Sequence, residues 1–331
     1  MLIMEKRKDV FIAPSMYSLF LYTLINKDWE NSDFILSDRV PLVIHDSLRK
    51  NFGSYVYTYE GSKRIPNRIK RFFVFNKIYW KFCIERPKVR YERVWGNDEF
   101  APAFKYRKQG MLLVEDGSFN SESKDFIKKI QFRNDLYYLN YWFYWVFKRY
   151  VSYGWDNMVN VIYHTNAVTL PSAIKHKGVE LCLQSQWNAL DNKEKSDILR
   201  LFGVTTAFMN NLDNYSTILV TQDLPIPDED KLAIYKDMTK DLDMSKVLIK
   251  THYAEKLDYH KYFQESEVIS LPVPMQLFGL LGYKPKKVMT ISSSAITPFI
   301  DKDTEVIFLG TGIDKRLEDK YGLITIETYS K

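Results

Sequence analysis

The sequence predicts an α/β protein of two similar-sized domains, each a parallel sheet wrapped in helices, facing a central cleft. Three observations carry this reading. Short apolar runs stop abruptly at polar or turn residues, as strands buried on both faces do. Segments of helical periodicity fill the intervals, the alternation that builds βαβ units. The alternation then restarts at Ser216, after the polar stretch 203–215 containing M-N-N-L-D-N. The 331 residues divide on this basis into an N-terminal domain, 1–210, and a C-terminal domain, 211–331. Each is long enough to bury its own core.

The first strand is D-V-F-I-A-P-S, Asp9 to Ser15, followed by a helix from Met16 to Ile25. Further strands are expected at Asp33–Leu36, Tyr55–Tyr59, Arg90–Trp95, Gly110–Val114 and Asn160–Tyr163. Ser121–Ile130 and Asn192–Leu201 carry helical patterns. In the second half S-T-I-L-V-T-Q from Ser216 opens a new unit, Pro225 to Asp230 reads as a loop, and Lys231–Met238 as a helix. Two later runs, Val247 to Ile249 and Val288 to Ile291, end against K-T-H and S-S-S. In open α/β sheets ligands sit beyond the carboxyl ends of strands, so both stops are expected to border one crevice.

Composition narrows the function classes. Apolar residues make up 46% of the chain and the net charge is +6, a globular balance with a modest basic excess. Cys83 and Cys182 are too few for a disulfide framework and read as reduced core thiols. No secretory leader and no apolar run long enough to span a bilayer is evident, so a cytoplasmic location is expected. Two stretches stand apart. Lys63–Arg93 holds eleven Lys or Arg against two Glu, interleaved with aromatics, and Tyr137–Trp155 is aromatic at eleven of nineteen positions. Each is readable as a helix with one face in the core, the second also as a subunit contact in a homodimer. Alternatively they rest on an anionic membrane surface, which would make the protein peripheral on the inner face of the cell membrane. Neither carries a nucleic-acid-binding signature, and nucleic acid is not an expected partner.

Three constellations can carry chemistry. Glu115-Asp116-Gly117 closes an apolar strand, where a carboxylate could take a proton from a hydroxyl and Gly117 would permit a sharp turn. Lys250-Thr251-His252 places a permanent cation two residues from a titratable one. Ser292, Ser293 and Ser294 could hold a phosphate or cap a helix, with Thr290 and Ser294 as the capping candidates. The D-x-D strings at Asp228–Asp230, Asp241–Asp243 and Asp301–Asp303 lack a histidine partner and read as solvated charge rather than metal ligands.

Taken in order, these motifs resemble those of bacterial sialyltransferases of the lipooligosaccharide and capsular type, glycosyltransferase family 52. Those proteins carry an acidic-acidic-glycine motif, a lysine-x-histidine-proline motif and a paired serine; here they are E-D-G, K-T-H-Y and S-S-S. The opening F-I-A-P-S, which contains Ser15, and L-P-V-P-M-Q-L-F-G are similar as well. The resemblance implies a GT-B architecture of two Rossmann-like domains, with the donor nucleotide held mainly by the second. It implies inverting transfer of sialic acid from CMP-sialic acid to a sugar hydroxyl of a glycan or lipid-linked glycan, without metal or cofactor. Carried over, Asp116 is the general base, and His252 is the general acid or electrostatic partner of the leaving phosphate. Ser293 and Ser294 hold that phosphate, with Lys250 and Ser292 beside them. The sequence departs from the pattern at Tyr253, where proline is expected, and at Gln276, where an acidic residue would meet the ribose. Either change is compatible with a GT-B transferase using a different nucleotide sugar, and the basic and aromatic stretches leave a second alternative, a non-catalytic membrane-surface or polysaccharide-binding protein.

Overall fold

A computed structural model describes residues 9–61, 65, 67–86, 89–132, 141, 142, 146, 151–300 and 303–328. The chain forms two compact units, Met1–Leu201 and Phe202–Lys331. The division follows the helix Asn192–Leu201, and the polar stretch after it contains the helix Thr206–Leu212.

In the first unit seven strands form one parallel sheet: β1 (Asp9–Ala13), β2 (Asp33–Ser37), β3 (Val56–Tyr59), β4 (Arg93–Gly96), β5 (Met111–Val114), β6 (Val159–His164) and β7 (Gly178–Glu180). Their order is β3-β2-β1-β4-β5-β6-β7, so the winding direction reverses between β1 and β4. β1 and β2 are buried along their whole length, which their unbroken apolar runs require. At its start β1 keeps one charge, Asp9, satisfied by a bidentate bond from Arg93 of β4 at 2.9 and 2.7 Å. Helices α1 (Met16–Ile25), α2 (Leu42–Phe52), α3 (Arg68–Glu85) and α4 (Lys124–Phe132) come from the connections. Phe75, Tyr79 and Phe82 turn one face of α3 into the core, and Arg86 at its end is ion-paired to Asp33 of β2 at 2.7 Å. The strand β7 and the helices Ser172–Lys175 and Leu183–Asn188 follow segments too short and polar for a periodic signal.

The second unit repeats the plan with five strands: β8 (Thr217–Val220), β9 (Val247–Lys250), β10 (Glu267–Ile269), β11 (Lys287–Thr290) and β12 (Glu305–Phe308). Their order is β10-β9-β8-β11-β12, all parallel, and the reversal lies between β8 and β11. The acidic run Asp228-Glu229-Asp230 is not a loop. It forms the first turn of the helix Asp228–Thr239, where negative charge complements the helix dipole and Lys231 and Arg316 pair with it at 2.9 and 2.6 Å.

Several local expectations are corrected. Cys182 is exposed and not a core thiol, whereas Cys83 is half-buried. Within Tyr137–Trp155, Tyr141 is buried, its ring stacked on Phe75 at 6.0 Å, and most of the stretch lies outside the described residues. Among the described residues no helix is long and apolar enough to cross a membrane.

Candidate active site

In the first unit the polar side chains gather at the carboxyl ends of β1, β4 and β5, astride the reversal. Gly96 makes this possible. Its φ is +125°, and a Cβ there would lie 1.8 Å from the Ile12 carbonyl oxygen. The chain therefore turns flush against β1, and the Asn97 amide donates to that carbonyl at 2.8 Å while its side chain donates to Val114 of β5 at 2.6 Å. The turn delivers Asp98 and Glu99, both buried. Asp98 accepts from the Tyr153 and Gly154 amides at 2.7 and 3.0 Å, yet burial outweighs these donors and pushes its carboxyl up to about 7. Glu99 reaches Asp116, and the two carboxyls share a hydrogen bond.

Such a contact needs one proton between two acids. Burial raises Glu99 well above its ordinary range, with the charge of Asp116 adding to it. Asp116 is also raised by burial, but the Ser15 hydroxyl and Glu99 both stabilise its ionised form. The proton therefore stays on Glu99, and Asp116 is left as the acceptor. Ser15 has a second task, capping α1 by accepting from the Ser18 amide at 3.2 Å. Glu115 points elsewhere: it accepts from the Thr165 amide and hydroxyl at 2.6 and 2.8 Å, tying β5 to the loop after β6. Gly117 has φ +95° with open space where a Cβ would be, as the expected sharp turn requires.

In the second unit the reversal between β8 and β11 is bridged by Gln222. Its side-chain carbonyl accepts from the Ser292 amide at 2.7 Å, and from the Thr290 and Ser292 hydroxyls at 3.3 and 3.4 Å. The serine loop is thus held across two strands. Ser293, and neither Thr290 nor Ser294, caps the turn Ser294–Phe299 by accepting from the Ala295 amide at 3.2 Å. Ser294 is exposed. The short helix Met275–Leu280, which carries half-buried Gln276, packs on that turn.

His252 lies beyond the end of β9. Its Nδ1 accepts from the Ala254 amide at 3.2 Å, which leaves the ring proton on Nε2 as a donor. Its own amide is held at 3.3 Å by both Thr221 Oγ1 and the Glu255 carboxylate. Glu255 is the anchor of this loop, also accepting from Thr221, Tyr259 at 2.8 Å and Lys231 at 3.4 Å. Burial and then the neighbouring Lys250 push the imidazole below its ordinary pKa, with Asp223 opposing. Lys250 is the last residue of β9, buried, and lowered to about 8 by that burial. Tyr253 covers one face of the imidazole, ring centroids 4.4 Å apart.

The family model described as glycosyltransferase family 52 matches residues 68–313. The chain belongs to this family. It is 26% identical over 335 residues to an uncharacterized protein of Haemophilus influenzae, covering 97% of this chain and all of that one. Two solved structures share its fold. The GT-B domain of a sialyltransferase from Photobacterium damselae superposes with TM-score 0.51 at 11% identity, covering 91% of this chain and 90% of that one. A 2,6-sialyltransferase from Photobacterium sp. JT-ISH-224, solved with CMP and lactose, gives 0.53 at 10% identity, covering 91% and 71%.

The family 52 chain therefore has the GT-B fold and is a glycosyltransferase. Within its first unit the structure brings Asp116 and Ser15 together and sets Glu115 aside as a tether. Within its second it places Lys250 and His252 at the end of β9 and Ser292–Ser294 at the end of β11, with β8 between them, while among the described residues no hydrogen bond joins Gln276 to them. Asn97, Glu99, Gln222 and Glu255 escaped the sequence reading. Glu99 had a signal, because W-G-N-D-E repeats the pattern of a strand ending in glycine and acids. Among the described residues no three His, Cys, Asp or Glu converge as metal ligands.

Proposed function

We propose that this transferase moves sialic acid from CMP-sialic acid to a sugar hydroxyl in surface-glycan assembly, by an inverting route that uses no metal. The acceptor oxygen attacks the anomeric carbon, the bond from that carbon to the phosphate oxygen breaks, and the acceptor proton passes to Asp116. CMP leaves with its phosphate facing the Nε2–H of His252 and the charge of Lys250. Charge builds on the phosphate only as the bond breaks, so donors placed there act on the transition state. These cations can do the work that a divalent ion does elsewhere. The observation that carries the reading is the tautomer of His252: the Ala254 amide occupies Nδ1 and leaves a donor on a ring at the end of β9, in the same sheet whose β11 leads into the serine loop. The neighbour's complex with CMP and lactose is consistent with such a donor and acceptor.

A second reading, another nucleotide sugar on the same scaffold, is favoured by Tyr253 and by the uncharged Gln276. A thermal-shift screen separates them. CMP should raise the melting temperature where UDP and GDP do not, and stabilisation by UDP or GDP alone would sink the sialyl reading. Asp116→Asn should keep the CMP shift and lose transfer from CMP-sialic acid by about 100-fold or more; unchanged transfer would remove Asp116 from the mechanism.

A further inference from the structure

We propose that the outer face of α3 is a docking surface for an anionic lipid bilayer. This rests on the helix alone, not on the donor assignment. α3 buries Phe75, Tyr79 and Phe82, yet it also exposes Ile69 (72%), Phe73 (68%), Trp80 (51%) and Ile84 (77%). At roughly 100° per residue those four fall within an arc of about 60°, well away from the buried face. The helix thus has two apolar stripes, and only one is satisfied by the core. Lys70, Lys77 and Lys81, all exposed, follow one another along the flank of the outer stripe. The neighbouring carboxylate, Glu85, is already engaged by Lys81 at 3.6 Å and by the Tyr57 hydroxyl at 2.8 Å.

Lys77, Trp80, Lys81, Ile84 and Glu85 line a depression of about 490 Å³. Two ammonium groups one helical turn apart beside an indole suit a phosphate headgroup over the start of its acyl chains. Trp80 is steadied for this by stacking on Trp142, centroids 5.8 Å apart and ring planes nearly parallel. A protein partner of ordinary composition would not require a row of lysines along one edge, whereas a negatively charged surface does. The buried face and the Arg86–Asp33 pair fix the helix, so the stripe is presented without rearrangement.

The test is co-sedimentation of the full chain with vesicles of phosphatidylcholine, with or without about one-third phosphatidylglycerol. The parent should pellet with the anionic vesicles at low salt, and about 0.5 M salt should weaken this. Phe73→Ser with Trp80→Ser should lower the partition by tenfold or more, at unchanged circular dichroism and unchanged CMP response. Lys77→Glu with Lys81→Glu should lower it by about tenfold or more, on anionic vesicles only. Equal pelleting of the parent and both double variants would overturn the proposal, as would no pelleting of the parent at low salt. So would self-association in sedimentation velocity that Phe73→Ser with Trp80→Ser abolishes while lipid has no effect, since the stripe would then be a contact between copies.

Discussion

His252 shows how backbone contacts fix the state of a side chain. The free imidazole is kept neutral by burial and by Lys250, and the Ala254 amide fixes which nitrogen carries the proton. A bound phosphate reverses the local charge and favours the imidazolium. His252→Ala should lower turnover by about 100-fold or more with a smaller loss of donor affinity. An early-melting variant with normal turnover per folded molecule would make the residue structural. Lys250 adds a pH signature. Only its protonated form attracts phosphate, so CMP affinity measured by calorimetry should fall as pH rises beyond about 8. Lys250→Gln should bind more weakly at neutral pH and lose that alkaline fall. At this scale the sequence was a fair guide. Asp116, Gly117, His252 and the serines announce themselves at strand ends, but Glu99 and Glu255 act through partners distant in the chain, which spacing cannot reveal.

Elements are where prediction and structure agree best. Helix α1 and the helix Asn192–Leu201 occupy the expected residues, and each anticipated strand is present, its ends shifted by a few positions. Long apolar runs bounded by polar residues leave few alternatives. The failures have physical causes. Proline at 227 begins a helix instead of extending a loop, because proline is tolerated where no amide partner is needed. For α3, period alone could not separate a helix with one apolar face from one with two. Gly96 is the element-scale test. Any side chain there meets a backbone carbonyl of the central strand at positive φ, so neither a rotamer change nor a small shift relieves it. Gly96→Ala should cost about 3 kcal/mol or more and lower the melting temperature by roughly 10 °C. A parent-like melting curve would show that the turn can relax.

Across the whole molecule, two sheets of the same winding gather different groups, acids at the strand ends of one and cations with hydroxyls at those of the other. Hydrogen exchange should display that division. With CMP alone, amides in 221–223, 250–255 and 291–295 should slow, while 97–99 and 115–117 keep their rates. Protection spread evenly over both sets would contradict the assignment of the donor to the second unit. The duplication of plan was legible from the restart at Ser216, since buried parallel strands need the same kind of sequence wherever they occur. The strand order was not, because it is fixed by packing between residues far apart.

The bridge made by Gln222 has a consequence for how this enzyme can change. One amide carbonyl sets the course of the serine loop, so loop shape and loop chemistry are inherited separately. Ser294 is exposed and takes no part in that bridge. A lineage, or a laboratory library, can therefore sample new residues at position 294 without disturbing the backbone beneath it. Substitution at 222 would instead scramble the whole loop at once. With the serine loop holding the donor as proposed, donor preference is in this sense a surface trait laid over a fixed scaffold, open to small heritable steps.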